Sequence, residues 1–281
     1  MASASARSDH PVVVCAHGAD SSGAVQLGAT LAAAAGQRLV LASAYRYEPV
    51  GLGASPLPSP LNEVRFDRAV AQIERAERLI PHGVKVDERP IPAEDVPEAL
   101  VGLAVEVDAC AIVLGRDLSG HVTRAVIERA PCPVAVSPFS VPLPEPEPLR
   151  AIGVAYDGSP AARCALAAAG HLAAAAAGGE LRVIAVGGGI ADAEAEAEPP
   201  SEEVEVEVER LEGDPRRLLV AESDSLDLLA CGSRGRGRVT AAVLGSVSSH
   251  LVRAAHCPVL LVPPRVRPRP DRPLGLSTAA E

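Results

Sequence analysis

The chain has 281 residues, 48% of them hydrophobic, and a formal net charge of −10. That apolar content fills real cores and excludes a disordered chain, and the length suits two domains. The acidic balance argues against general nucleic-acid binding and against docking on anionic membranes.

Alanine and valine dominate the apolar residues, Trp is absent, and Lys85 is the sole lysine. No run reaches the roughly 18 uninterrupted apolar residues that a membrane-spanning helix needs. The start, MASASARSDH, lacks the apolar core of a signal peptide. Cysteines stand at 15, 110, 132, 164, 231 and 257 with no CxxC pair. They read as small buried residues of a reduced, cytoplasmic protein, with no metal site.

Residues 1–10 read as a disordered leader. Pro11–Ala16 is a first strand bounded by His17-Gly18, Ser21–Gly36 an alanine-rich helix, and Arg38–Ala44 a second strand. After a Gly- and Pro-rich loop, Asn62–Leu79 is helical, with Asn62 as its N-cap and Pro81 as its stop. Val84–Pro90 alternates as an edge strand does. Val96–Val107 is a third helix with Pro97 tolerated in its first turn. Ala109–Gly115 is a buried strand, His121–Ala130 a short helix, and Pro133–Ser137 a fifth strand.

Between 142 and 148 prolines stand at alternate positions, so 139–150 is a stiff, extended linker. Beyond it the pattern restarts. Ala151–Tyr156 is a strand ending in Asp157-Gly158, and Ser159-Pro160 opens a helix to about Ala177. Leu181–Val186 and the strictly alternating Val204–Glu209 are strands, and Asp214-Pro215 starts another helix. Leu226–Cys231 is a buried strand, Gly245-Ser246 opens a helix, and a last strand follows Cys257-Pro258. Two strand–helix repeats imply an α/β chain with two tandem, doubly wound, five-stranded parallel sheets. The expected domains are residues 10–138 and 151–264, with a disordered tail over 265–281.

Landmark pairs show where the copies differ: Gly18 matches Gly158, Gly115 matches Gly232, and Cys132 matches Cys257. The second copy is shorter between its first and fourth strands by about one helix with its loop. Its connection 187–203, rich in Gly, Ala and Glu, has little apolar surface with which to pack a second helix. The first copy is shorter after its fourth strand, where GRDLSGHVTRAV lacks a second glycine and a Gly-Ser helix opening. Its phosphate site is expected to be dead.

The second copy's fourth strand runs into LLACGSRGRGRVTAAVLGSVSSHLVRAAHCPVLLV. Gly232, Gly235 and Gly237 let backbone N–H groups approach an anion, and Gly245-Ser246 opens a helix whose first N–H groups point outward. Ser246 either caps that helix or donates to a phosphate oxygen. Arg234, Arg236 and Arg238 add positive charge. The spacing G-x2-G-x9-G-S, with its flanking strands and the closing Cys-Pro-Val, resembles the nucleotide-binding loop of the universal stress protein family. The resemblance covers roughly residues 10–264. It implies Rossmann-like, adenine-nucleotide hydrolase-like domains that pair through their last strands as an internal pseudo-dimer, with a homodimer as a further option.

In doubly wound sheets, ligands sit beyond the carboxyl ends of the strands where strand order reverses. The resemblance places Asp157, with Ala155 before it, against the nucleoside, and Val186 as the second-strand contact. The phosphate cradle would be Gly232, Ser233, Arg234, Gly235, Arg236, Gly237, Gly245, Ser246 and Val247. His17 stands where Asp157 stands in the second copy, which also disfavours binding in the first. The implied function is a nucleotide-gated stress-response regulator binding one ATP, with or without Mg²⁺, and an unidentified protein partner. No Ser-His-Asp set or second carboxylate is evident, so at most weak ATP hydrolysis is expected. The alternatives are a nucleotide-independent scaffold of the same fold and an enzyme of the related hydrolase superfamily. HGADSSG at 17–23 is only a faint echo of the loop such an enzyme needs.

Overall fold

The computed structural model describes residues 9–16, 21–48, 60–116, 120–138, 148–176, 179–186, 201, 204–233, 244–263, 266–268, 274 and 276–278. In the first half, β1 (Val12–Cys15), α1 (Ser22–Ala35), β2 (Leu39–Arg46), α2 (Pro60–Glu77) and β3 (Val86–Ala93) lead to α3 (Val96–Glu106), β4 (Ala111–Gly115), α4 (His121–Arg129) and β5 (Val134–Ser137). The second half runs β6 (Ala151–Tyr156), α5 (Pro160–Ala175), β7 (Glu180–Val186), β8 (Glu205–Leu211), α6 (Pro215–Glu222), β9 (Leu228–Gly232), α7 (Ser246–Ala254) and β10 (Val259–Val262).

All ten strands join one sheet in the order β3-β2-β1-β4-β5-β10-β9-β6-β7-β8. Within each half every pairing is parallel; between the halves β5 and β10 pair antiparallel, with Leu260 opposite Ala135. The last strands of the two copies therefore form a seam, as the resemblance implied. Ala135 and Leu260 belong to the core on one face, whereas Val134, Val136, Val259 and Leu261 belong to the core on the other. Both cores cross the seam without a break. The outer strands β3 and β8 carry prolines and glutamates respectively, which blunt their exposed edges.

Local chemistry explains the helix boundaries. Gly36 ends α1 in the left-handed region, at φ 63°, and its N–H bonds back to Ala32 and Ala33. Ser159 caps α5 by accepting from the Ala162 N–H at 3.2 Å, with Pro160 in the first turn. α1 lies close on β1 because Gly28 has no side chain: a Cβ there would come within 2.1 Å of Val14 Cγ2.

Two expectations are corrected. Asn62 does not cap α2, which begins at Pro60. Its amide is buried and bonds both the carbonyl and the N–H of Glu48, at 2.8 and 3.2 Å, pinning the end of β2. The tail is not without structure. Val266–Pro268 (β11) and Leu276–Thr278 (β12) pair antiparallel against α5, burying Val266, Leu274 and Leu276 in the core. The expected loss of a helix over 187–203 lies outside the described residues, Ser201 apart, as does 139–147 of the linker.

All six cysteines are buried, and none is in a disulfide. Burial pushes the thiols of Cys110, Cys231 and Cys257 up to about 12 and Cys132 well above its ordinary value. The folded protein should therefore leave a thiol-specific reagent at pH 8 almost unreacted, with full titration only in denaturant. Rapid reaction of more than one thiol in the native state would contradict this packing.

Candidate functional site

At the carboxyl edge of the second half, three chain segments end side by side. Ala155 on β6 pairs with Ile184 of β7 and with Cys231 of β9. Continued two residues past these pairs, the registers set Asp157 level with Val186 and Ser233. Gly158 adopts φ 73° just after Asp157, and the Asp157 carboxylate accepts the Ser159 N–H at 2.9 Å. This turn directs the chain from β6 into α5. Ser159 supplies the helix cap, so Asp157 orders the turn and does not cap the helix itself.

The neighbouring strand β9 hands the chain to the glycine loop in a defined way. The Ser233 N–H donates to Val262 O and the Gly245 N–H donates to Ser233 O, each at 2.9 Å. Ser233 and Gly245 thus form the closed neck of the loop. The predicted cradle residues Arg234, Gly235, Arg236 and Gly237 lie outside the described residues, as does His17 of the first copy.

Gly245 is the N-cap of α7 with extended geometry and no side-chain cap, and Ser246 is the first helical residue. The capping role considered for Ser246 is therefore excluded, and Ser246 is exposed at the first position of the helix. The N–H groups of Ser246, Val247 and Ser248 have no acceptor within the helix, because the first such bond runs from Ser249 N–H to Gly245 O. Val247 packs partly into the core.

Ser248 is a residue that the motif did not single out. It is buried, and its hydroxyl donates to Gly232 O at 2.9 Å, tying the start of α7 to the end of β9. Cys231 records how close these parts are. Burial raises its thiol to about 12, the Ser248 hydrogen bond lowers it somewhat, and the Asp157 charge raises it further. The structure thus brings Ala155, Asp157, Val186, Gly232, Ser233, Gly245, Ser246 and Val247 to one edge of the sheet, at the carboxyl ends of β6, β7 and β9 and the start of α7.

In the first half, Gly115 and Arg116 occupy the positions of Gly232 and Ser233. The Arg116 N–H donates to Ser137 O at 2.9 Å, the same bond that Ser233 makes. From there only 117–119 separate the strand from Gly120, the left-handed N-cap of α4. A cleft of about 1140 Å³ elsewhere is lined by Arg38, Lys85, Leu149 and Leu172 and includes none of the predicted site residues. Among the described residues no group of three or more His, Cys, Asp or Glu could hold a metal ion, and no helix is long and apolar enough to cross a membrane.

Comparison with known proteins places this architecture. A universal stress protein of Mycobacterium tuberculosis is 30% identical over 91% of this chain and 97% of its own length. The chain belongs to the universal stress protein family. A sequence profile of the Universal stress protein family matches residues 186–263, the part that contains β9, the glycine loop, α7 and β10. A universal stress protein structure from Archaeoglobus fulgidus superposes with a TM-score of 0.69 at 22% identity, covering 92% of this chain and 97% of that one. A protein of unknown function from Pseudomonas aeruginosa superposes at 0.59 and 16% identity, covering 92% and 94%. Both span the two halves, and at these identities they bear on the fold alone. The protein is thus a universal stress protein with two tandem Rossmann-like halves.

Proposed function

We propose that this universal stress protein binds one adenine nucleotide, ATP, at the carboxyl edge of its second half and acts as a nucleotide-gated regulator. The observation that carries the reading is the neck formed by Ser233 and Gly245. That neck stands next to the open first turn of α7, on the same sheet edge as Asp157, and the sequence between Ser233 and Gly245 is rich in glycine and arginine. Such a turn favours negative charge through its unpaired N–H groups and the helix dipole. Asp157 would take the ribose hydroxyls, Ala155 and the backbone at Val186 would border the base, and Gly232, Ser233 and the loop through Gly237 would wrap the phosphates. Gly245, Ser246 and Val247 would close the cradle, with Mg²⁺ able to accompany the phosphates.

In the first half, Arg116 and the short step to Gly120 leave little room for such a wrap, which supports a single site per chain. We assign residues 10–138 and 151–264 to the two domains and 139–150 to their linker. Buried thiols without disulfides fit a reducing, cytoplasmic setting. In sequence no second carboxylate is recognisably placed to activate water, so turnover is not the main role in this reading. Nucleotide binding would order the loop and present a surface to a protein partner. The scaffold alternative keeps one observation in its favour: the shortened 187–203 connection has little apolar surface to close the nucleoside side of the crevice.

Calorimetric titration of ATP into the full chain, beside a Gly235→Ala/Ser246→Ala double variant, tests the reading. Micromolar binding at one site per chain, lost in the variant, is the expected result. No heat, together with no nucleotide released from the denatured protein, would favour the scaffold. Two sites per chain would overturn the assignment of the first half as inactive.

A further inference from the structure

The seam places the two copies head to foot. Because β5 and β10 are antiparallel, the carboxyl edge of the first half lies beside the amino edge of the second, where α7 ends. Arg116 reaches across this boundary. Its guanidinium donates to Arg253 O in the last turn of α7 at 2.7 Å and to Pro138 O, just past β5, at 3.2 Å. The Arg253 carbonyl belongs to the last turn, whose oxygens have no partner within the helix, and a cation there also suits the helix dipole.

The nine-residue helix α7 is only about 13 Å long. One of its ends carries Ser246 and Val247 of the cradle, held to β9 by Ser248. Its other end is held by a residue of the opposite half. Arg116 also occupies the first half's counterpart of Ser233, so the position that serves a phosphate loop in one copy serves as a brace in the other. We infer that Arg116 is a positioning residue for the nucleotide site of the second half: it clamps the far end of α7 and so sets the first turn of that helix against β9. The inference rests on the nucleotide reading above for its functional part, and on geometry alone for the clamp.

The test combines ATP titration with amide hydrogen exchange on the full chain, using wild type, Arg116→Ala and Arg116→Lys. Arg116→Ala should weaken ATP binding about fivefold and speed exchange of the amides from Ser249 to Arg253, which bond within the helix, in the nucleotide-free protein. Exchange in β4 and β5 should stay unchanged, which separates a loosened helix from general destabilisation. Arg116→Lys should recover only part of both effects, because an ammonium lacks the planar fork that spans two carbonyls. Faster α7 exchange with unchanged ATP affinity would overturn the positioning role, and unchanged exchange would overturn the clamp itself. If the wild-type chain takes up no ATP, the nucleotide reading fails, and the exchange experiment alone then decides the clamp.

Discussion

Leu260→Asp should abolish the cooperative fold of the whole chain. Leu260 is fully buried in β10, opposite Ala135 across the seam, within a core that includes residues of α1 and α5. A carboxylate placed there has no partner, and leaving a charge buried and uncompensated costs about 3–5 kcal/mol. That is a large part of the roughly 5–15 kcal/mol that holds a typical protein folded. Because both cores run across the seam, the loss should be felt by both halves together. Urea denaturation followed by circular dichroism should show the wild type unfolding in one transition and the variant already unfolded, or nearly so, without urea. Leu61→Asp is the matching control: Leu61 is 51% exposed on α2, and a charge there should change stability by less than about 0.5 kcal/mol. A Leu260→Asp chain with a near-normal midpoint would mean that β10 does not lie in the centre of the sheet. Two separate transitions would mean that each half folds on its own.

A chain ending at Pro263 should be markedly less stable and should expose one particular thiol. Removal of β11 and β12 strips Val266, Leu274 and Leu276, each no more than 5% exposed, from the core over α5. Burying an aliphatic side chain of this size contributes about 1.5–3 kcal/mol. Part of this is offset by the entropy of ordering the ribbon, so a net loss of about 2–4 kcal/mol is expected. Thermal unfolding measures the loss, and thiol chemistry locates it. The Cys164 thiol donates to Val266 O at 3.5 Å and is buried beneath the ribbon. In the truncated chain Cys164 should become the thiol that reacts with a probe in the native state, identified by mass spectrometry. An unchanged melting temperature with an unreactive Cys164 would place the ribbon away from α5.

The tail shows why some of the fold was not legible in the sequence. PRVRPRPDRPLGLSTAAE offers only three large apolar residues, Val266, Leu274 and Leu276, among prolines and arginines, too few to announce a strand by period. Their pairing has meaning only once α5 is in place to receive them. The ten strands of the main sheet were legible because each is a short apolar or alternating run bounded by Gly, Pro or Asp. Ser159-Pro160 was equally plain, since both the cap and the proline act within one turn. Asn62 misled because a polar residue before an apolar helix suits a cap, whereas its true partner is the backbone of Glu48, brought near by the packing of α2 on β2.

In the site, the glycine spacing marked Gly232 and Gly245, and the family resemblance added Asp157. The motif left Ser246 with two roles, because glycine and serine both serve at an N-cap and the helix starts one residue later than a serine cap would require. Ser248 follows from its place in the first turn after Gly-Ser once the helix start is known. Arg116 could not be assigned a partner from the sequence, since its acceptor on Arg253 lies 137 residues away. Matching Gly115 to Gly232 would have set it opposite Ser233, but only the antiparallel seam turns it towards α7.

The seam also has a meaning for how such a chain diverges. In a symmetric pair of identical subunits, every substitution is made twice, so a residue cannot be given to the interface on one side and kept for the ligand on the other. Here the two partners are joined in one chain, and β5 and β10 meet at a fixed stoichiometry that dilution does not alter. Arg116 and Ser233 could therefore part ways: Arg116 donates to a carbonyl of the opposite half, whereas Ser233 bonds Val262 and Gly245 of its own half. The single chain behaves as a heterodimer whose subunits cannot exchange.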